Sequence, residues 1–172
     1  MTGPLAWSHR VSAVPEGGLA ETRATSAVER SAVAEALGII ACDELKADYV
    51  IRGIGAGRYG MKGSVAASLT QECVVTLAPV RQTVAETFNV EFWPSLPDAS
   101  DAEVEVLSVP DIEPIEHGLI EAGRVIFEIL AASLDPYPRS EGARIEWEDA
   151  PDVAGEAEAG PFSALKRLKG DP

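Results

Sequence analysis

Apolar side chains recur at every second position in four separate stretches, and this period commits the chain to a fold built on strands. Leu5, Trp7, Val11 and Ala13 alternate with Ser8, Arg10 and Ser12. Leu45, Ala47, Tyr49 and Ile51 alternate with Lys46, Asp48 and Arg52. Tyr59, Met61, Val65, Ala67 and Leu69 alternate with Gly60, Lys62, Ser64, Ser68 and Thr70. Val84, Phe88, Val90 and Phe92 alternate with Arg81, Thr83, Thr87, Asn89 and Glu91. Successive side chains of a strand point to opposite faces, so each stretch offers one face to a core and one to water. The breaks are short, Gly53 to Gly57 and the stretch around Pro79, which favours antiparallel neighbours joined as a meander. A further short strand is predicted from Val104 to Val109.

Two segments leave this period. Ser26 followed by Glu29 is a capping-box pattern ahead of Val33 and Leu37, and Gly38 is placed to end that helix. A second helix is predicted from about Glu121 to Ser133, with Ile126, Ile129 and Leu130 on one stripe and Asp135-Pro136-Tyr137-Pro138 as its stop. The expected fold is α+β: an antiparallel meander sheet, partly barrel-like, with two packed helices and a mobile acidic C-terminal segment.

Charge marks the organisation. Residues 1–97 carry 8 basic and 10 acidic residues, whereas residues 98–158 carry 3 and 17. The end of the chain turns basic again with Lys166, Arg167 and Lys169. A single α+β domain over 1–138 is expected, then an acidic flexible linker over 139–160, then a short basic amphipathic motif over 161–172.

Several function classes fall away on composition. No apolar run approaches the ~20 residues of a membrane helix, and no basic stretch followed by an apolar one opens the chain, so a cytoplasmic protein without membrane partners is expected. Cys42 and Cys73 are too few for a disulfide framework. A net charge of -14 argues against a protein that coats DNA or naked RNA.

Candidate chemistry is sparse. Cys73 sits in Gln71-Glu72-Cys73-Val74-Val75-Thr76-Leu77-Ala78-Pro79-Val80, between two strands. A nucleophilic thiol needs a base and a lowered pKa. His9 and His117 are remote in sequence and no cation lies within the segment, so a buried or turn-lining thiol is expected. A zinc site fails on ligand count, because position 76 is threonine where a C-x-x-C pair would close. His117 beside Glu116 reads as a solvated loop residue. Gly53-Ile54-Gly55-Ala56-Gly57 lacks the Lys-Ser/Thr of a phosphate loop and precedes a strand, so it reads as a hairpin loop. The carboxylates between Asp98 and Glu121 read as a solvated surface. No catalytic group, cofactor or metal is expected.

The C-terminus says more. Phe162, Leu165 and Leu168 stand three apart after Pro161, with Lys166, Arg167 and Lys169 directed elsewhere. This is the pattern of a small docking helix, aimed either at a partner or back at the chain's own acidic half.

Three segments together resemble the YceD family, the bacterial large ribosomal RNA subunit accumulation proteins. The first is Val65 to Phe92, above all Leu69 to Val80 and Phe88-Asn89-Val90-Glu91-Phe92. The second is Glu113 to Pro138, ending Leu134-Asp135-Pro136-Tyr137-Pro138. The third is Gly160-Pro161-Phe162-Ser163-Ala164-Leu165-Lys166-Arg167-Leu168-Lys169. The opening Trp7-Ser8-His9-Arg10-Val11 and Pro15-Glu16-Gly17-Gly18-Leu19 looks like the family's alphaproteobacterial branch. Cys73, Leu77 and Pro79 are motif positions, but many members carry Cys-x-x-Cys where this chain has Cys73 and Thr76.

The resemblance implies a non-enzymatic contribution to large-subunit rRNA accumulation and ribosome assembly. Charge narrows the partner to a basic ribosomal or rRNA-processing protein, or a large-subunit precursor particle, steered toward residues 98–158. The terminal residues Phe162, Leu165, Lys166, Arg167, Leu168 and Lys169 are the expected binding motif, and its basic side the only expected RNA contact. The alternative is a generic acidic interaction module unrelated to ribosomes.

Overall fold

The computed structural model describes residues 3–95 and 111–144. The chain divides into two compact units, Met1–Gly142 and Ala143–Pro172, and the elements below all belong to the first. They run β1 (His9–Arg10), a 3-10 turn (Val11–Ala13), β2 (Leu19–Ala24), α1 (Ala27–Leu37), β3 (Ala41–Gly55), β4 (Arg58–Glu72), β5 (Pro79–Trp93), β6 (Asp111–Pro114), β7 (Leu119–Ile120) and α2 (Ala122–Ala132).

Three 15-residue strands, β3 to β5, form an antiparallel meander. The β3–β4 turn is two residues, Ala56 and Gly57, both left-handed (φ 53° and 70°). That geometry matches the right-handed twist of paired strands and admits glycine without strain. Register then sorts the alternating residues. Leu45, Ala47, Tyr49 and Ile51 of β3 lie on the same face as Met61, Val65, Ala67 and Leu69 of β4 and Val84, Val90 and Phe92 of β5, and all are buried. Lys46, Arg52, Lys62, Ser64, Ala66, Ala85, Thr87 and Asn89 take the opposite face and stay exposed.

Both helices serve the inner face. The α1 capping box forms as its sequence predicts. Ser26 Oγ accepts from the Glu29 backbone N–H (3.3 Å), and the Glu29 carboxylate accepts from the Ser26 N–H (2.8 Å). Such a cap is worth ~1 kcal/mol. Gly38 ends the helix at φ 64°. Val33 of α1, with Val125, Ile126 and Leu130 of α2, joins Leu5, Trp7, Ile120 and the inner strand residues in one core cluster.

The structure corrects the sequence reading at several points. The sheet is open, not partly barrel-like: its order is β2-β3-β4-β5-β6, and β2 and β6 remain edges. Closure would need β2 to bond β6. Instead β6 is a four-residue strand parallel to β5, and β7 pairs with β1 in a separate two-stranded sheet. The first alternating stretch is strand only at His9–Arg10, because the chain turns at Val11–Ala13. Strand β2 was not foreseen. Val104 to Val109 and most of 139–160 lie outside the described residues.

Candidate functional site

Strands β4 and β5 are joined by Cys73 to Ala78, a loop that closes on itself. The Cys73 N–H donates to the Ala78 carbonyl (2.8 Å), and the Leu77 N–H to the Cys73 carbonyl (3.0 Å). The turn holds Leu77 at φ 60°, a left-handed conformation rare for a bulky side chain. Pro79 opens β5 opposite Glu72, where the missing N–H costs no interior ladder bond.

The segment after α2 is stapled to this loop. The Val74 N–H donates to the Pro138 carbonyl (2.9 Å). Gln71 Nε2 donates to the Asp135 carbonyl (3.0 Å), and Gln82 Nε2 to the Ser133 carbonyl (2.9 Å). Gln82 Oε1 in turn accepts from the Asp135 N–H (3.2 Å). Two stretches about 60 residues apart in the chain, 71–82 and 133–140, therefore build one junction.

Cys73 sits at its centre and is fully enclosed. Its Sγ accepts from the Ser140 hydroxyl (3.5 Å), the Ser140 N–H (3.3 Å) and the Thr76 N–H (3.4 Å). Thr76 Oγ1 lies 3.1 Å from Ser140 Oγ, so the residue at position 76 reaches the same partner through a hydroxyl. Donors from Ser140 and Thr76 stabilise the thiolate and pull its pKa down to about 6. The sulfur lies sealed behind its donors. Its work in this geometry is to accept hydrogen bonds and hold the junction.

Around the buried sulfur the junction presents apolar side chains to solvent. Val74, Leu77 and Tyr137 are 50%, 67% and 71% exposed, unlike the inward apolar residues of the adjoining strands. Acidic groups line the chain beyond. Residues 111–142 carry seven carboxylates against Arg124 and Arg139, and Arg124 is taken up by Glu113 and Glu128.

Of the residues singled out in the sequence, Cys73 and Leu77 fall in this loop and Pro79 follows it as the first residue of β5. Phe162, Leu165, Lys166, Arg167, Leu168 and Lys169 lie outside the described residues. His9 is buried against Tyr49, its Nε2 2.8 Å from Tyr49 Oη, and burial lowers its pKa. His117 is exposed in the turn before β7 at φ 53°. Among the described residues no three His, Cys, Asp or Glu side chains converge as a metal site. No helix among them is long and apolar enough to cross a membrane. Sequence reasoning missed Ser140, Gln71 and Gln82, whose partners lie 51 to 67 residues away.

Residues 61–169 match the family model described as Large ribosomal RNA subunit accumulation protein YceD. The match takes in β4 from Met61 on, the Cys73 loop, β5, α2, the acidic stretch and most of the terminal basic motif. No curated protein and no solved structure matches the chain. With more than half of its length covered, the chain belongs to the YceD family of large ribosomal RNA subunit accumulation proteins.

Proposed function

We propose that this protein supports large-subunit rRNA accumulation without catalysing a reaction, by binding a basic assembly partner or a large-subunit precursor particle in the cytoplasm. The family match carries the reading, because it spans the acidic stretch and the terminal basic motif together with the part of the folded body from β4 to α2. Charge supplies the physical argument. Residues 98–158 hold 17 acidic and 3 basic residues, a potential that steers a cationic protein. The terminal motif combines Phe162, Leu165 and Leu168 with Lys166, Arg167 and Lys169, suited to an apolar dock beside phosphates. The exposed Val74, Leu77 and Tyr137 offer a further apolar surface to the same partner.

The test is gradient co-sedimentation at low salt with three variants: truncation after Gly160, charge reversal at Lys166, Arg167 and Lys169, and Phe162→Ala. The reading expects the parent chain with large-subunit precursors and each variant displaced toward the top of the gradient. Unaltered sedimentation of all three would remove the terminal motif from the account. A parent chain that never enters precursor fractions would remove the ribosomal reading itself.

A further inference from the structure

We propose that the outer face of the sheet, at its β3–β4 hairpin end, contacts the phosphate backbone of single-stranded RNA through Arg52 and Lys62. This rests on the ribosomal reading above and adds a second RNA contact to the terminal motif. Register pairs Val50 with Lys62 and Arg52 with Gly60, so the two cations stand on neighbouring strands on one face. They line a shallow concavity of about 320 Å3 together with Val50, Ile54 and Gly60. A larger concavity of about 540 Å3 shares Val50 and Lys62 with it and adds Ser64 together with the acids Glu21 and Asp48, each within reach of a cation of its own, Arg23 and Lys46. Arg52, Ile54, Lys62 and Ser64 on this face are exposed.

Local charge identifies the ligand. Among the described residues neither Arg52 nor Lys62 has an ion-pair partner. Two acids stand near them on the same face. Asp48 pairs with Lys46 (3.0 Å) and accepts from Thr22, and Glu91, across Gly60 from Arg52, accepts from Trp93 Nε1 (2.8 Å). A charge acts over ~8 Å at physiological salt, so a ligand meets these local groups rather than the net charge of the chain, and the smaller concavity holds Arg52 and Lys62 with no acid in its lining, although Glu91 beside it keeps its charge. Lys, Arg and Ser are donors that serve phosphate oxygens, and Val50 and Ile54 give sugars and bases an apolar floor.

The test is fluorescence anisotropy of a labelled short single-stranded RNA of mixed sequence, titrated with the full chain across a salt series. The variant is Arg52→Gln with Lys62→Gln. Glutamine keeps the Arg52 stem, whose Cγ would lie 2.7 Å from a Cβ on Gly18, and both positions are exposed, so the melting curve should hold. Binding should weaken, and the slope of log affinity against log salt should fall by ~1.4, or ~0.7 per lost phosphate contact. The exchange Arg52→Lys with Lys62→Arg should retain both. An unchanged RNA slope overturns the inference. So does a variant that loses only a labelled polyglutamate peptide, since that assigns the face to an acidic protein. If the parent chain sediments with precursors while its RNA slope is unmoved, this inference falls and the ribosomal reading stands.

Discussion

Replacing Phe92 tests the placement of the β5 residues most sharply. Phe92 is fully buried, stands opposite Tyr59 on β4 and Glu113 on β6, and shares its face with the buried Val90. Truncating such a side chain removes its transfer free energy and leaves a cavity, at ~3–5 kcal/mol. Unfolding entropy of ~2.1 cal/mol/K per residue over Met1–Gly142 gives about 0.3 kcal/mol/K, so Phe92→Ala should lower Tm by ~10–17 °C. Phe88 has the same parity but is half-buried, so Phe88→Ala should cost less. Thermal melts by circular dichroism, with urea titrations to check a constant m-value, read both numbers. A Phe92→Ala melt at the parent temperature, or a larger loss at Phe88, would refute the register.

Three further outcomes follow from the geometry. Gly63→Ala should lower the unfolding free energy from urea titration by ~1–3 kcal/mol, because its Cβ would stand 2.7 Å from Tyr49 Cβ and collide with the Asp48 carbonyl, while exposed Ser64→Ala should be near neutral. Leu77→Gly should raise stability by about 1 kcal/mol by releasing a left-handed leucine, and the apolar-surface account expects weaker precursor association from the same variant in a gradient. Ultraviolet thiolate absorbance should titrate Cys73 at about 6, and Ser140→Ala should move that midpoint upward. The folded pKa lies below the ~8.5 of a free thiol, so the stabilisation is full above that value and lost as pH falls through about 6. Cys73→Ala should flatten this part of the stability profile.

Local chemistry decided what was legible in the sequence. Ser26, Glu29 and Gly38 specify α1 within a dozen residues, and the apolar alternation from Leu45 to Phe92 specifies three strands and their core face. Strand β2 hid because its inward positions include Glu21 and Arg23, so the apolar contrast that marks a strand is missing. The open sheet followed from pairing: whether β7 bonds β1 or continues the main sheet depends on contacts about 110 residues apart. Cys73 was visible as a lone thiol, but Ser140, which gives it its character, lies 67 residues on. Arg52 and Lys62 were legible as outward cations, and only the hairpin register brings them to one concavity.

The central claim is that the protein sustains the large-subunit rRNA pool. Deleting its gene and measuring large-subunit against small-subunit rRNA during rapid growth tests this most directly, with gradient profiles of the mature particles alongside. The account predicts a lowered large-to-small ratio and a deficit of mature large subunits, both restored by the full chain. An unchanged ratio with a normal large-subunit peak would contradict it.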